Sequence, residues 1–260
     1  MQNNAKLISK GARMLMWSML VAVIGSVVSG IVLVYMLLIK LIPYLSFSSN
    51  YYINSTSYLN TTSTLPPSTV PTLISGIAGV LYIVIGIAVV FGVVELVFQW
   101  MGWSSLKTAD SRYAIGRRGL ILVVVGAVFA LVSFMALLPE LTSAVLQGSS
   151  ALTSVLPLIA GIGILSFVGA ILIIVGVIML YIGLWRLGSS YNNRMIKVSI
   201  ILVIVDVVLS AIFGVLLPAV TSVASLLGIA STILLIIGLH RVSAAASSQA
   251  TSNASEVSPQ

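Results

Sequence analysis

Long apolar runs alternate with short polar or basic stretches along the whole chain. Charge-free or nearly charge-free segments cover residues 14–39, 72–101, 119–138, 157–184, 198–217 and 223–239. A helix needs about 20 apolar residues to cross a bilayer, so the pattern predicts six transmembrane helices. The first segment follows Lys6, Lys10 and Arg13 and lacks a small-residue cleavage site; it is expected to stay as a signal anchor. Between the first two runs, residues 43–71 turn to Ser, Thr, Asn and Tyr with Pro66-Pro67, which predicts a water-exposed loop. Residues 140–156 are weakly polar with apolar positions at near-helical spacing. They are expected either to lie along the membrane interface or to extend the third span.

The polar stretches also give an orientation. Eleven of the twelve Lys and Arg residues fall at the amino terminus, in the connections 102–118 and 185–197, and after span six; Lys40 is the exception. Basic residues are retained on the cytoplasmic side. Both termini are therefore expected in the cytoplasm and loop 43–71 outside, with the plasma membrane as the location. The tail 243–260, rich in Ser and Ala, is expected to be disordered, leaving 1–242 as one transmembrane domain.

The spans read as three copies of one hairpin running in the same direction. Each outgoing span ends in Leu-Ile/Leu-Pro, at Leu41-Ile42-Pro43, Leu137-Leu138-Pro139 and Leu216-Leu217-Pro218, and residues 118–145 match 197–224 at nine positions of 28. Proline lacks an N–H, and it is expected to end each helix where water satisfies the freed carbonyls. The fold class is thus an all-α polytopic bundle of six spans in three parallel-repeat hairpins.

Composition sharpens the exclusions. Of 260 residues, 59% are hydrophobic and only 7% charged, against about 25% charged in a soluble domain. The mean hydropathy is +1.20. The net charge of +7 is explained by the orientation signals, so nucleic acid is not an expected partner. With no Cys and a single His, His240, thiolate sites, iron–sulfur clusters, bis-histidine haem and zinc hydrolase sites cannot be assembled from this chain. No metal, cofactor or catalytic residue is expected, and no paired-carboxylate, HExxH or phosphate-loop motif occurs.

What remains is a short set of residues. Asp206 lies about 13 Å past Lys197 along a helix, near the bilayer midplane, where a charge costs at least about 2.5 kcal/mol. It is either a proton or cation site or a neutral carboxyl in an interhelical hydrogen bond. Glu95 is shallower, with Gln99 one turn later and Trp100 and Trp103 marking the interface; it is a second ionisable candidate or a snorkelling carboxylate. His240 takes the repeat position of Trp185, and both stand beside an Arg, as interface anchors do. Asn54 and Asn60 head Asn-x-Ser/Thr sequons on the outer loop, either glycan acceptors or plain loop residues. Gly169, Gly176 and Gly183, and likewise Gly79 and Gly86, recur every seven residues, the spacing of a tight helix-packing seam.

The stretch Ile182-Gly183-Leu184-Trp185-Arg186-Leu187-Gly188, followed by Ser189-Ser190-Tyr191-Asn192 and a new apolar run, resembles a family of uncharacterised archaeal multi-spanning membrane proteins, a domain-of-unknown-function group. The resemblance covers roughly the last 100 residues. It carries no activity; it implies an archaeal plasma membrane, where surface glycans fit. The function expected is non-enzymatic: an accessory or scaffold subunit of a membrane assembly, in contact with lipid and with other subunits or further copies of itself. The alternative is a transporter or channel for protons, ions or small solutes working through Asp206 and Glu95.

Overall fold

The computed structural model describes the backbone of residues 2–53, 69–147, 149–213 and 218–255, and side chains over 3–39, 76, 79–137, 139, 161–210 and 225–252. Six α-helices follow one another: α1 (Gln2–Ile53), α2 (Thr69–Ala109), α3 (Ala114–Gln147), α4 (Ser149–Ser190), α5 (Arg194–Phe213) and α6 (Pro218–Ser255), with a short 3₁₀ turn, Ser111–Tyr113, between α2 and α3. No strand occurs among the described residues. Five stretches are long and apolar enough to cross a membrane: Asn3–Ile39, Gly79–Ala109, Ser111–Leu137, Gly161–Ser190 and Ser225–Ser252. Their outward faces are exposed Val, Ile and Phe, such as Val90 on α2, Val128 on α3 and Phe167 on α4. A hydrocarbon solvent accepts such faces, and it demands the helical backbone, because nothing in lipid can satisfy a free N–H or C=O.

The helices outrun the expected boundaries, and proline does not stop them. α1 continues through Pro43 to Ile53 and α3 through Pro139 to Gln147. Each proline removes one hydrogen bond, but ending the helix inside an apolar medium would strand several more groups. Pro218 instead opens α6, where its missing N–H has no partner to lose. Residues 140–147 therefore continue the third helix rather than forming a separate interfacial one, and the segment 43–71 begins as helix. The sequons at Asn54 and Asn60 lie outside the described residues.

The largest departure is at the carboxyl end. Where the Ser/Ala pattern suggests a disordered tail from Ser243, α6 stays helical to Ser255. Val242, Ser243, Ala246 and Ala250 are buried, and so are Ala5, Ser9 and Ala12 on α1. The Ser9 hydroxyl lies 3.1 Å from that of Ser243 and 2.7 Å from that of Ser247, and Ser243 Oγ donates to the Ser9 carbonyl at 3.2 Å. Small side chains at helical spacing let two backbones come close. The same composition that reads as low-complexity tail is here a helix-packing face.

The chain divides into two compact units, one of Met1–Ala22, Val93–Val128 and Gly169–Gln260, the other of Val23–Gly92 and Phe129–Val168. The first unit holds the hydrophobic core: Ala12 and Leu15 of α1, Trp103 and Leu106 of α2, Tyr113 and Leu120 at the start of α3, Leu184 and Leu187 of α4, Ile196 and Ile200 of α5, and Leu235, Leu239 and Val242 of α6. These are the starts of α1, α3 and α5 and the late parts of α2, α4 and α6, the same regions that carry the basic residues. In the second unit α1 meets α2 closely, since a Cβ on Gly25 would lie 2.7 Å from Phe91 Cβ.

Candidate functional site

Three features inside the first unit carry the candidate chemistry: a glycine seam, the carboxylates Glu95 and Asp206, and a basic end.

The seam joins α3 to α4. A Cβ on Gly126 would sit 2.6 Å from the Gly169 carbonyl oxygen, and Cβ atoms on Gly119 and Gly176 would each sit 2.6 Å from the other's carbonyl. Both helices thus present small residues seven apart, running antiparallel. At the end of the seam, the Trp103 ring of α2 lies over Gly116 and Gly183. Trp103 is 2% exposed and belongs to the core rather than the interface, because the two glycines open a slot that any Cβ would fill. Trp100, three residues earlier, is 42% exposed, and the Arg117 guanidinium stacks on it at 4.6 Å. Of the expected glycines, Gly169, Gly176 and Gly183 lie in the seam. Gly79 and Gly86 do not: a Cβ there meets nothing within 4 Å among the described residues. Gly119 and Gly126 are the partners the sequence reading missed, although their own seven-residue spacing was visible.

The carboxylates are tied to their own helices. Gln99 Nε2 donates to Glu95 Oε1 at 2.7 Å, one turn along α2. Asp206 is half-buried on α5 and accepts from Ser210 Oγ at 3.4 Å, again one turn along. α6 passes close to Asp206, since a Cβ on Gly228 would lie 3.0 Å from its Oδ2. No group of three His, Asp or Glu side chains able to hold a metal occurs among the described residues.

At the basic end, each turn is held by polar side chains. Asp110 is extended at φ −153° and caps the 3₁₀ turn; it accepts from Arg112 N at 2.8 Å and Nε at 2.7 Å and pairs with Nη2 at 2.7 Å. The Arg112 guanidinium and backbone N–H hold the Asp110 carboxyl below its usual range. Arg186 Nη1 donates to the Arg112 carbonyl at 3.0 Å, and Tyr113 Oη to Ser190 Oγ at 3.1 Å. Asn192 turns the chain with φ 46°, a conformation Asn tolerates. Asn193 then caps α5, its Oδ1 accepting from Met195 N at 3.0 Å, while Nδ2 donates to the Gly238 carbonyl of α6 at 2.8 Å. Ile196 fills the gap between Gly188 and Gly238. His240 is exposed, as expected of an anchor, and Trp185 lies under Lys197 at 5.8 Å. Two clefts open at this end. One of about 490 Å³ lies between the start of α1 and the end of α6, and one of about 390 Å³ lies beside Asn193, Arg194 and Arg241.

Apolar spans with exposed hydrocarbon faces and a polar, basic, tightly turned end define a multi-pass membrane protein. The family model described as "Protein of unknown function (DUF973)" matches residues 8–260, and the chain belongs to that family. The match extends well beyond the carboxyl-terminal stretch that first carried the resemblance. Comparison with curated proteins and with solved structures finds no match.

Proposed function

We propose that the protein is a non-enzymatic accessory or scaffold subunit of a plasma-membrane assembly. Its helices form three hairpins repeated in parallel, both termini face the cytoplasm, and the segment after Ile53 faces outward. The observation that carries this reading is the convergence of all six helices on one core at their basic ends. Retention of basic residues in the cytoplasm then sets that end inside. Close-packed glycines and a built-in α1–α6 contact favour a rigid platform, and each intramembrane carboxylate accepts a hydrogen bond from one turn away on its own helix. The test is affinity capture of the full chain in mild detergent at native abundance. A stoichiometric membrane-protein partner supports the proposal; a chain that purifies alone and without self-association sinks it.

A transporter working through Asp206 is the second reading. Gly228 favours it, because the missing side chain there lets α6 come close to the carboxylate, which sets a titratable group at a helix–helix contact. In reconstituted vesicles, Asp206→Asn keeps a hydrogen-bonding group and removes the titratable proton. A flux driven by a pH gradient and abolished by this change would replace the scaffold reading; no flux with either chain would eliminate the transporter.

A further inference from the structure

The larger cleft at the basic end has a chemistry that neither reading uses. Lys6, Lys10 and Arg13 line it from α1, and Ser247 and Thr251 from α6, with Ser9 at the back. Spacings of four and three place the three cations on one helix face. All three are exposed, and no carboxylate is among the described residues that line the cleft. The one ion pair among the described residues is Arg112–Asp110, so this charge has no counterion within the described protein. The wall opposite is fixed in position: Ser9 is bonded to Ser243 and Ser247, and Thr251 Oγ1 donates to the Ser247 carbonyl at 3.0 Å. The cleft is therefore preformed and does not depend on a flexible tail.

Its lower rim identifies the ligand. Met14 lines the cleft, and the next residue on the cationic face is Trp17, 47% exposed. Down this face α1 passes from cations to an aromatic ring to the charge-free run that begins at Met14. A lipid has the same order, from phosphate to glycerol to acyl chain, and tryptophan favours the middle level. We propose that the cleft binds the phosphate of an anionic lipid, with the acyl chains descending past Met14 and Trp17. This rests on the membrane placement of the chain and is independent of the scaffold reading, which is decided by partner capture.

The experiment measures, by native mass spectrometry, how the delipidated full chain in detergent binds an anionic glycerophospholipid, a zwitterionic one and inorganic phosphate. Each cation near an anionic lipid surface contributes about fivefold in affinity, so Lys6→Gln with Lys10→Gln is expected to weaken anionic-lipid binding about 25-fold. The equal-charge control, Lys107→Gln with Arg118→Gln, removes exposed cations outside the cleft and is expected to change it less than about threefold. Thr251→Trp fills the cleft without altering charge and is expected to weaken binding as well. Equal losses from both charge pairs would mean a diffuse field, and full binding by Thr251→Trp would mean an open face; either overturns the site. So does binding of the zwitterionic lipid as tight as that of the anionic one, or displacement of the lipid by inorganic phosphate at equal affinity.

Discussion

The glycine seam makes the most demanding prediction, because two sets of glycines with the same spacing should answer oppositely to one methyl group. In Gly176→Ala the new Cβ would stand 2.6 Å from the Gly119 carbonyl oxygen and 2.7 Å from Val123 Cγ2. Ordinary contact begins at 3.4 Å, so α3 and α4 must separate by about 0.8 Å (3.4 − 2.6) at this point. The blocking atom is backbone, and no rotamer change can relieve it. Overpacking of this kind costs about 1–3 kcal/mol, set against about 1 kcal/mol gained from the better helix propensity of Ala. Gly79→Ala and Gly86→Ala meet nothing within 4 Å among the described residues, so only the propensity gain of up to about 1 kcal/mol remains. Reversible unfolding in mixed micelles with increasing SDS would give the three midpoints. Gly176→Ala should move the midpoint down, and the two α2 variants should leave it unchanged or raise it. If Gly176→Ala is tolerated as well as Gly79→Ala, the close approach of α3 and α4 is refuted.

Other changes should read out the same core and its turns. Trp103→Ala empties the slot over Gly116 and Gly183 and should cost about 3–5 kcal/mol, measured by the same unfolding. Asn193→Ala loses the α5 cap and the side-chain donor to the Gly238 carbonyl, for about 2 kcal/mol together; Asn193→Asp keeps the cap acceptor but sets a carboxylate against that carbonyl, and it should destabilise as well. Truncation after Val242 should destabilise the chain by uncovering Ala5, Ser9 and Ala12, an outcome a disordered tail would not produce and limited proteolysis would reveal. The Asp110–Arg112 contact gives a pH dependence. Because the folded carboxyl titrates below its ordinary 3.8, its contribution is present above that value and is lost as pH falls below it. Asp110→Ala should therefore be less stable than the parent at neutral pH, and the two should converge in strong acid.

Sequence alone determined the medium and the count of helices. Hydrophobicity without charge over 20 or more residues has one stable solution in lipid, and the basic clusters mark which helix ends gather together; the core at Trp103, Tyr113, Ile196 and Leu239 lies at those ends. Seven-residue glycine spacing was equally legible. Which stripe is used was not: Gly176 finds Gly119, whereas Gly79 and Gly86 meet none of the described residues, because a packing seam is a property of two helices and a sequence shows one at a time. Trp103 illustrates the same limit, since an interface tryptophan and a core tryptophan differ only in whether glycines on other helices open a slot. The ends of the helices were decided tertiarily too. Pro43 and Pro139 look like stops until the cost of unpaired backbone in hydrocarbon outweighs one lost hydrogen bond. The Ser/Ala tail looks unfolded until α1 supplies the matching face of Ala5, Ser9 and Ala12. Local pattern measures what a segment prefers in isolation; the tertiary structure adds the partner, and with it the free energy that settles each of these cases.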